Sequence, residues 1–285
     1  MPIAMEYQYF PGCSLHGTAR EYDLSLRAVA ASLGLVLHEL ADWNCCGATA
    51  ARSLNESLAL FLAARNLAMA ERGPGPLLVP CNLCYSNLAI AAHSLGHESL
   101  RKRTNAALDN LGLAYSGNAT VVHPLQALMR DVGPERIASC VTRPLRGLKV
   151  ACYYGCLLTR PRYASIQQSN FNPVWLDNLV LAVGGSAVAF SSKTRCCGGP
   201  LLMTHPEAAA RASGRILEEA RDMGAQCIAV TCPMCYMSLS ASQTGLLKRS
   251  HRKYRIAVLY FTQLLGLALG ISPRELGLPS RIMPL

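Results

Sequence analysis

Apolar positions along the chain fall into two kinds of run. Short, nearly uninterrupted ones predict buried strands: Gln8–Phe10, Leu35–Leu40, Leu77–Pro80, Lys149–Tyr153, Ala187–Phe190, Ile228–Thr231 and Ile256–Tyr260. Longer Ala/Leu-rich stretches with interleaved polar residues, Ala48–Arg72 and Leu201–Met223, predict helices, with Gly73 and Gly224 as stops. A further helix is expected to start at Cys81-x-x-Cys84 and at Cys232-x-x-Cys235. Strands alternating with helices predict an α/β fold with small, mostly parallel sheets flanked by helices. The elements come twice in one order, with a linker-like stretch at Val132–Gly147 between them. Two duplicated, pseudo-symmetric domains follow, 1–140 and 141–285.

The cysteines carry the repeat most sharply. Cys45, Cys46, Cys81 and Cys84 each have a counterpart 151 positions later, at Cys196, Cys197, Cys232 and Cys235. Context repeats as well: WNCCGA against TRCCGG, and VPCNLCYSNL against VTCPMCYMSL. One more cysteine precedes each set, Cys13 in FPGCSLHG and Cys156 in YYGCLLTR. Ten of the 13 cysteines thus form two sets of five, while Cys140, Cys152 and Cys227 fall outside and are expected in the core.

Composition narrows the class. Charged residues are 15% of the 285-residue chain, against about 25% in an ordinary soluble domain. With 51% hydrophobic residues the chain is too apolar to be disordered. No stretch reaches the roughly 20 apolar residues of a spanning helix, and MPIAMEYQYF has no secretory pattern. The expected compartment is the reducing cytoplasm, where clustered cysteines bind metal or do redox chemistry.

A lone Cys-x-x-Cys fits a redox dithiol or half a zinc site, and adjacent cysteines fit a packed core. A zinc ion or an ordinary cubane takes four ligands, whereas each half here offers five. Neighbouring side chains diverge, so an adjacent pair suits a polynuclear cluster, in which each thiolate reaches a different iron. Glycine after the pair lets backbone N–H groups come near the sulfurs. Zinc remains the competing metal.

The spacing Cys-x31-Cys-Cys-Gly-x33-Cys-x-x-Cys from Cys13 to Cys84, and its second copy from Cys156 to Cys235 with a first gap of 39 residues, resembles the cysteine-rich CCG domain. Two such domains, with FPGCSLHGTAREYD, DWNCCGA, YYGCLLTRP and LYFTQLLGLALG, resemble the B-type subunit of heterodisulfide reductase and its bacterial, sulfur-oxidising homologues. The resemblance implies two noncubane 4Fe–4S clusters. One would sit on Cys13, Cys45, Cys46, Cys81 and Cys84, the other on Cys156, Cys196, Cys197, Cys232 and Cys235. These residues would be metal ligands, cofactor-binding and catalytic at once. It implies disulfide/thiol redox chemistry within a complex whose other members are a ferredoxin-like subunit (C-type) and a flavin subunit (A-type). The alternative it leaves is an electron-transfer subunit of a glycolate, lactate or quinone-linked oxidoreductase.

The chain has neither a four-cysteine ferredoxin run nor a G-x-G-x-x-G fingerprint, so electrons are expected to pass through other subunits. The resemblance to sulfur-oxidising homologues implies sulfur held on a lipoyl carrier protein; an acidic carrier would suit the net charge of +10, and no motif suggests nucleic acid. Basic residues concentrate at Lys248–Arg255, Arg101–Arg103 and Arg143–Lys149. Nearer the cysteines, Arg20, Arg160, Arg162, Lys193 and Arg195 are candidates for steering an anionic substrate, and His16 and His205 for supplying protons.

Overall fold

A computed structural model describes residues 5–161, 164–166, 172–243 and 256–279. Arg162 and the basic run Lys248–Arg255 lie outside the described residues.

The first half runs β1 (Met5–Tyr9), α1 (Gly12–His16), α2 (Arg20–Leu33), β2 (Leu35–Glu39), α3 (Ala50–Leu54), α4 (Glu56–Ala70), β3 (Leu77–Leu78), α5 (Asn82–Ser94), α6 (Glu98–Leu108) and β4 (Val121–Val122). Two short helices, α7 (Pro124–Gln126) and α8 (Pro134–Ser139), lead out of it. The second half runs β5 (Lys149–Tyr153), α9 (Trp175–Ala182), β6 (Ser186–Ala187), α10 (Pro206–Asp222), β7 (Cys227–Val230), α11 (Pro233–Gln243), β8 (Ala257–Tyr260) and α12 (Phe261–Ala268).

Each half builds one four-stranded sheet, ordered β2-β1-β3-β4 and β6-β5-β7-β8, with every pairing parallel. Taken by position within the half, the two orders are the same. The central strands explain their uninterrupted apolar runs: Val150–Tyr153 and Cys227–Val230 are wholly buried, as strands of a parallel sheet covered on both faces must be. In both sheets the order reverses at the first strand. The crevice at the carboxyl ends of the first and third strands is where such sheets hold ligands.

Three predicted elements differ. The stretch 48–72 is two helices, because Asn55 turns extended and its Oδ1 accepts from Leu58 N at 3.1 Å, capping α4. The helix expected from Leu201 starts at Pro206, whose fixed φ suits a first turn. The strand expected over 187–190 keeps one further ladder bond, Val188 N to Val150 O, before Glu219 draws Ser191 and Ser192 into a helical turn. Two-residue β4 and helices α1, α2, α6, α7, α8, α9 and α12 come in addition to the predicted elements.

The halves share one hydrophobic core. Tyr22 of α2 stacks on Tyr260 at 4.3 Å between centroids, and Ser25 Oγ meets Thr262 Oγ1 at 2.7 Å. After α12 the chain returns to α2, where Gly277 lies against Glu21. No helix among the described residues is long and apolar enough to cross a membrane.

Candidate metal centre

The repeated strands and helices carry the ten predicted cysteines to two equivalent places. Cys13 and Cys156 follow the first strand of each sheet, Cys81 and Cys232 follow the third, and Cys84 and Cys235 lie in the first turn of α5 and α11. The loops bearing Cys45-Cys46 and Cys196-Cys197 close over them. Cys46, Cys81, Cys84, Cys197, Cys232 and Cys235 are buried, Cys156 is half-buried, and Cys13, Cys45 and Cys196 are exposed. Each set thus reaches from the core to the surface.

Glycines make room for this packing. Gly12 and Gly155 have φ of +69° and +72°, and a Cβ there would come within 3.4 Å of Cys84 Sγ and 3.2 Å of Cys235 Sγ. Gly47 and Gly198 turn the Cys-Cys loops at φ of +85° and +75°, pressed on the Ala59 and Ala209 backbone of α4 and α10. Backbone N–H groups point at the sulfurs, as the glycine spacing predicts: Gly47 at Cys45 (3.5 Å), Gly198 at Cys196 (3.4 Å) and Gly199 at Cys197 (3.4 Å).

The thiols meet in pairs. Cys197 Sγ lies 3.5 Å from Cys235 Sγ. Interaction with Cys45, then with Cys84, pulls the Cys46 thiol down to about 4, and Cys46 in turn pushes Cys45 up. Cys156 lowers Cys196 to about 6, and Arg160 helps to hold its negative charge. Cys235, then Cys81, depresses Cys232, while Cys81 is raised chiefly by Cys232. Such neighbours cannot all ionise together without a cation among them. Through these mutual shifts the thiols Cys45, Cys46, Cys84 and Cys81 of the first half are linked electrostatically to Cys232, Cys235 and Cys197 of the second. Among the described residues no three or more His, Cys, Asp or Glu side chains gather as they would around a single metal ion. Soft thiols in spread pairs, glycine-lined and faced by N–H donors, fit a polynuclear iron–sulfur group.

Buried polar residues that the sequence did not single out hold this arrangement. Tyr22 Oη donates to Pro80 O (3.3 Å) and Thr231 O (3.2 Å), the carbonyls just before Cys81 and Cys232. His123 Nε2 reaches the same two oxygens at 3.1 and 3.3 Å. Asn82 Nδ2 donates to Tyr154 O and Thr231 Oγ1, while its buried Oδ1 has no partner among the described residues. Asn87 Nδ2 donates to Cys46 O at 2.6 Å, and at the equivalent position Ser238 Oγ donates to Cys197 O at 2.7 Å. The only signal for Asn87 and Ser238 is their shared 151-residue offset; Tyr22 and His123 have no repeated partner to betray them.

The other candidates separate by exposure. Lys193 does not face solvent: it is buried, pairs with Asp177 at 2.8 Å and donates to Pro173 O, because a buried ammonium needs a counter-charge. Its carbonyl instead accepts from Tyr154 N and Gly155 N, fixing the approach to Cys156. Arg20, Arg160 and Arg195 are exposed near the cysteine loops. His16 pairs with Glu39 at 3.1 Å and packs edge-on to Trp43, and His205 precedes α10. Arg101 binds the carbonyls of Leu95 and Gly96. Cys152 and Cys227 are buried strand residues and Cys140 is half-buried.

The cysteine-rich domain (CCG) family matches residues 7–89 and 150–240. The chain is 35% identical, over 98% of its length and 97% of the relative's, to the 8-methylmenaquinol:fumarate reductase membrane anchor subunit of Wolinella succinogenes. It is 33% identical, over 94% of its length and 91% of the relative's, to the B-type subunit of the ferredoxin/F420H2-dependent CoB-CoM heterodisulfide reductase of Methanosarcina acetivorans. A hypothetical protein from Helicobacter pylori shares the fold with a TM-score of 0.78 at 16% identity; the match covers 97% of this chain and 51% of that one.

Proposed function

This chain belongs to the cysteine-rich CCG family, alongside the B-type subunit of heterodisulfide reductase, and from that membership we propose that it is the redox subunit where a disulfide or thiol substrate exchanges electrons. Two domains, 1–140 and 141–285, would each hold one noncubane 4Fe–4S cluster on the five cysteines of their half. The observation that supports this reading is the joining of the two Cys-x-x-Cys segments, whose preceding carbonyls, Pro80 O and Thr231 O, both accept from Tyr22.

Bound there, each cluster would supply one-electron capacity. Cleaving a disulfide takes two electrons and two protons and yields two thiols, so a duplicated site matches the stoichiometry; the reverse reaction sends the electrons outward. The chain's own residues do the rest. Gly47, Gly198 and Gly199 N–H groups hold sulfurs in the Cys-Cys loops. Exposed Arg160 and Arg195 attract an anionic substrate toward exposed Cys196. Electrons would pass to or from ferredoxin-like and flavin subunits, and the +10 charge supports an acidic lipoyl carrier as the source of a sulfur substrate.

The similarity to a fumarate reductase subunit favours one second reading, a subunit that relays electrons in a quinone-linked complex and meets no disulfide. Anaerobic iron and sulfide quantification should find about eight irons per chain. Electron paramagnetic resonance of the oxidised protein then separates the readings. A signal that changes on adding substrate thiol supports disulfide chemistry; indifference to thiols, with full iron, supports the relay.

A further inference from the structure

The place where the halves touch is built with unusual care. Pro80 and Thr231 occupy equivalent positions, and each precedes the first cysteine of a Cys-x-x-Cys. Their carbonyl oxygens face the same two donors. Tyr22 and His123 are both fully buried, and both come from the first half. Leu125 N donates to His123 Nδ1 at 3.1 Å, so this ring nitrogen is an acceptor and Nε2 carries the proton. His123 Nε2–H and Tyr22 Oη–H therefore each offer one hydrogen to the pair of oxygens, within 3.1–3.3 Å of both.

Strands β3 and β7 need neither bond for their ladders, so the clamp serves the segments that follow them. It fixes the backbone one residue before Cys81 and one before Cys232, so the two Cys-x-x-Cys segments start side by side across the boundary. A second buried link runs from Asn82, the residue after Cys81, to Tyr154 O and Thr231 Oγ1. Cys81 is thus held to the second half from both sides along the chain.

We infer that Tyr22 and His123 are positioning residues that lock Cys81 against Cys232, making the two metal centres one electronically coupled pair. This rests on the reading that each half holds a cluster. Neither residue touches substrate or metal in this role; both act by fixing the distance between two ligands. A two-electron reaction gains from it, because the second electron need not wait on a distant centre.

The test compares the intact protein with Tyr22→Phe/His123→Ala, both centres reduced, by iron quantification and electron paramagnetic resonance. The wild type should hold about eight irons and show signals split or broadened by the neighbouring centre. The double variant should keep its iron and lose the splitting. Full iron with two independent wild-type signals overturns the inference and leaves the two-cluster reading standing, as does a double variant with unchanged splitting. Absence of iron from the wild type sinks that reading itself, and the inference with it. Should the double variant shed iron, the single changes decide. Tyr22→Phe should weaken the splitting and His123→Gln, which keeps a donor, should largely retain it; unaltered splitting in Tyr22→Phe counts against the clamp.

Discussion

The Cys-Cys-Gly loops of the two halves carry the same cysteine pair and turn at the same glycine, yet they hang from different supports. In the first half the Cys46 carbonyl accepts, among the described residues, from Asn87, and Arg52 in turn donates to Asn87 Oδ1 at 2.5 Å. In the second the Cys197 carbonyl accepts from Ser213 and Ser238 together, at 2.7 Å each. The first cysteines differ too. Cys13 opens a helical turn and is exposed, whereas Cys156 sits half-buried in a loop tied to the Lys193 carbonyl. What the duplication has kept is the cysteine pair and its turn, while the hydrogen bonds that hold the loop have changed.

The largest effect expected is from the ligands, and it tests whether the halves are independent. Cys46→Ser and Cys197→Ser should each remove about four of the eight irons and abolish turnover. Iron and sulfide quantification checks this, and either variant emptying both halves would join them into one folding unit. Next come the turns. A Cβ on Gly198 would stand 2.7 Å from Ala209 Cα, and one on Gly47 2.9 Å from Ala59 O. Both positions are also left-handed, so alanine should cost about 1–3 kcal/mol at each, read as a fall in melting temperature, with Gly198→Ala the worse.

The supports themselves give a subtler contrast. Asn87→Ala strands a buried carbonyl and should cost about 1–3 kcal/mol, whereas Ser238→Ala leaves Ser213 in place and should cost about 0.5–1.5 kcal/mol. Equal losses in thermal unfolding would erase the asymmetry drawn above. The smallest effect is one of acidity. Burial lowers His123 to about 4, so the unfolded chain binds the proton more readily. This contribution is complete above the ordinary histidine value of about 6.5 and is lost as pH falls toward 4. At pH 5.5 the loss is about 1 kcal/mol, so the stability gap between wild type and His123→Gln should drift by that much from pH 7. A gap constant with pH would place the charge change elsewhere.

Much of this was legible in the sequence because it repeats. The alternation of apolar runs gave parallel sheets, and a single offset located eight cysteines, the two turn glycines and the helices beginning at Cys-x-x-Cys. Strand β4 was missed because two residues are too few to show a period. Lys193, a candidate for steering substrate, is instead a buried ion pair that the sequence hides, because its partner Asp177 is 16 positions away and carries no motif. Asn82, Tyr22 and His123 act across the halves, over separations of 72 to 209 residues, where local pattern says nothing.

The clamp also bears on ancestry. Its two donors come from the first half alone, while its acceptors come one from each half. The copies are therefore no longer interchangeable where they meet, and a change at Tyr22 or His123 reaches both Cys-x-x-Cys segments at once.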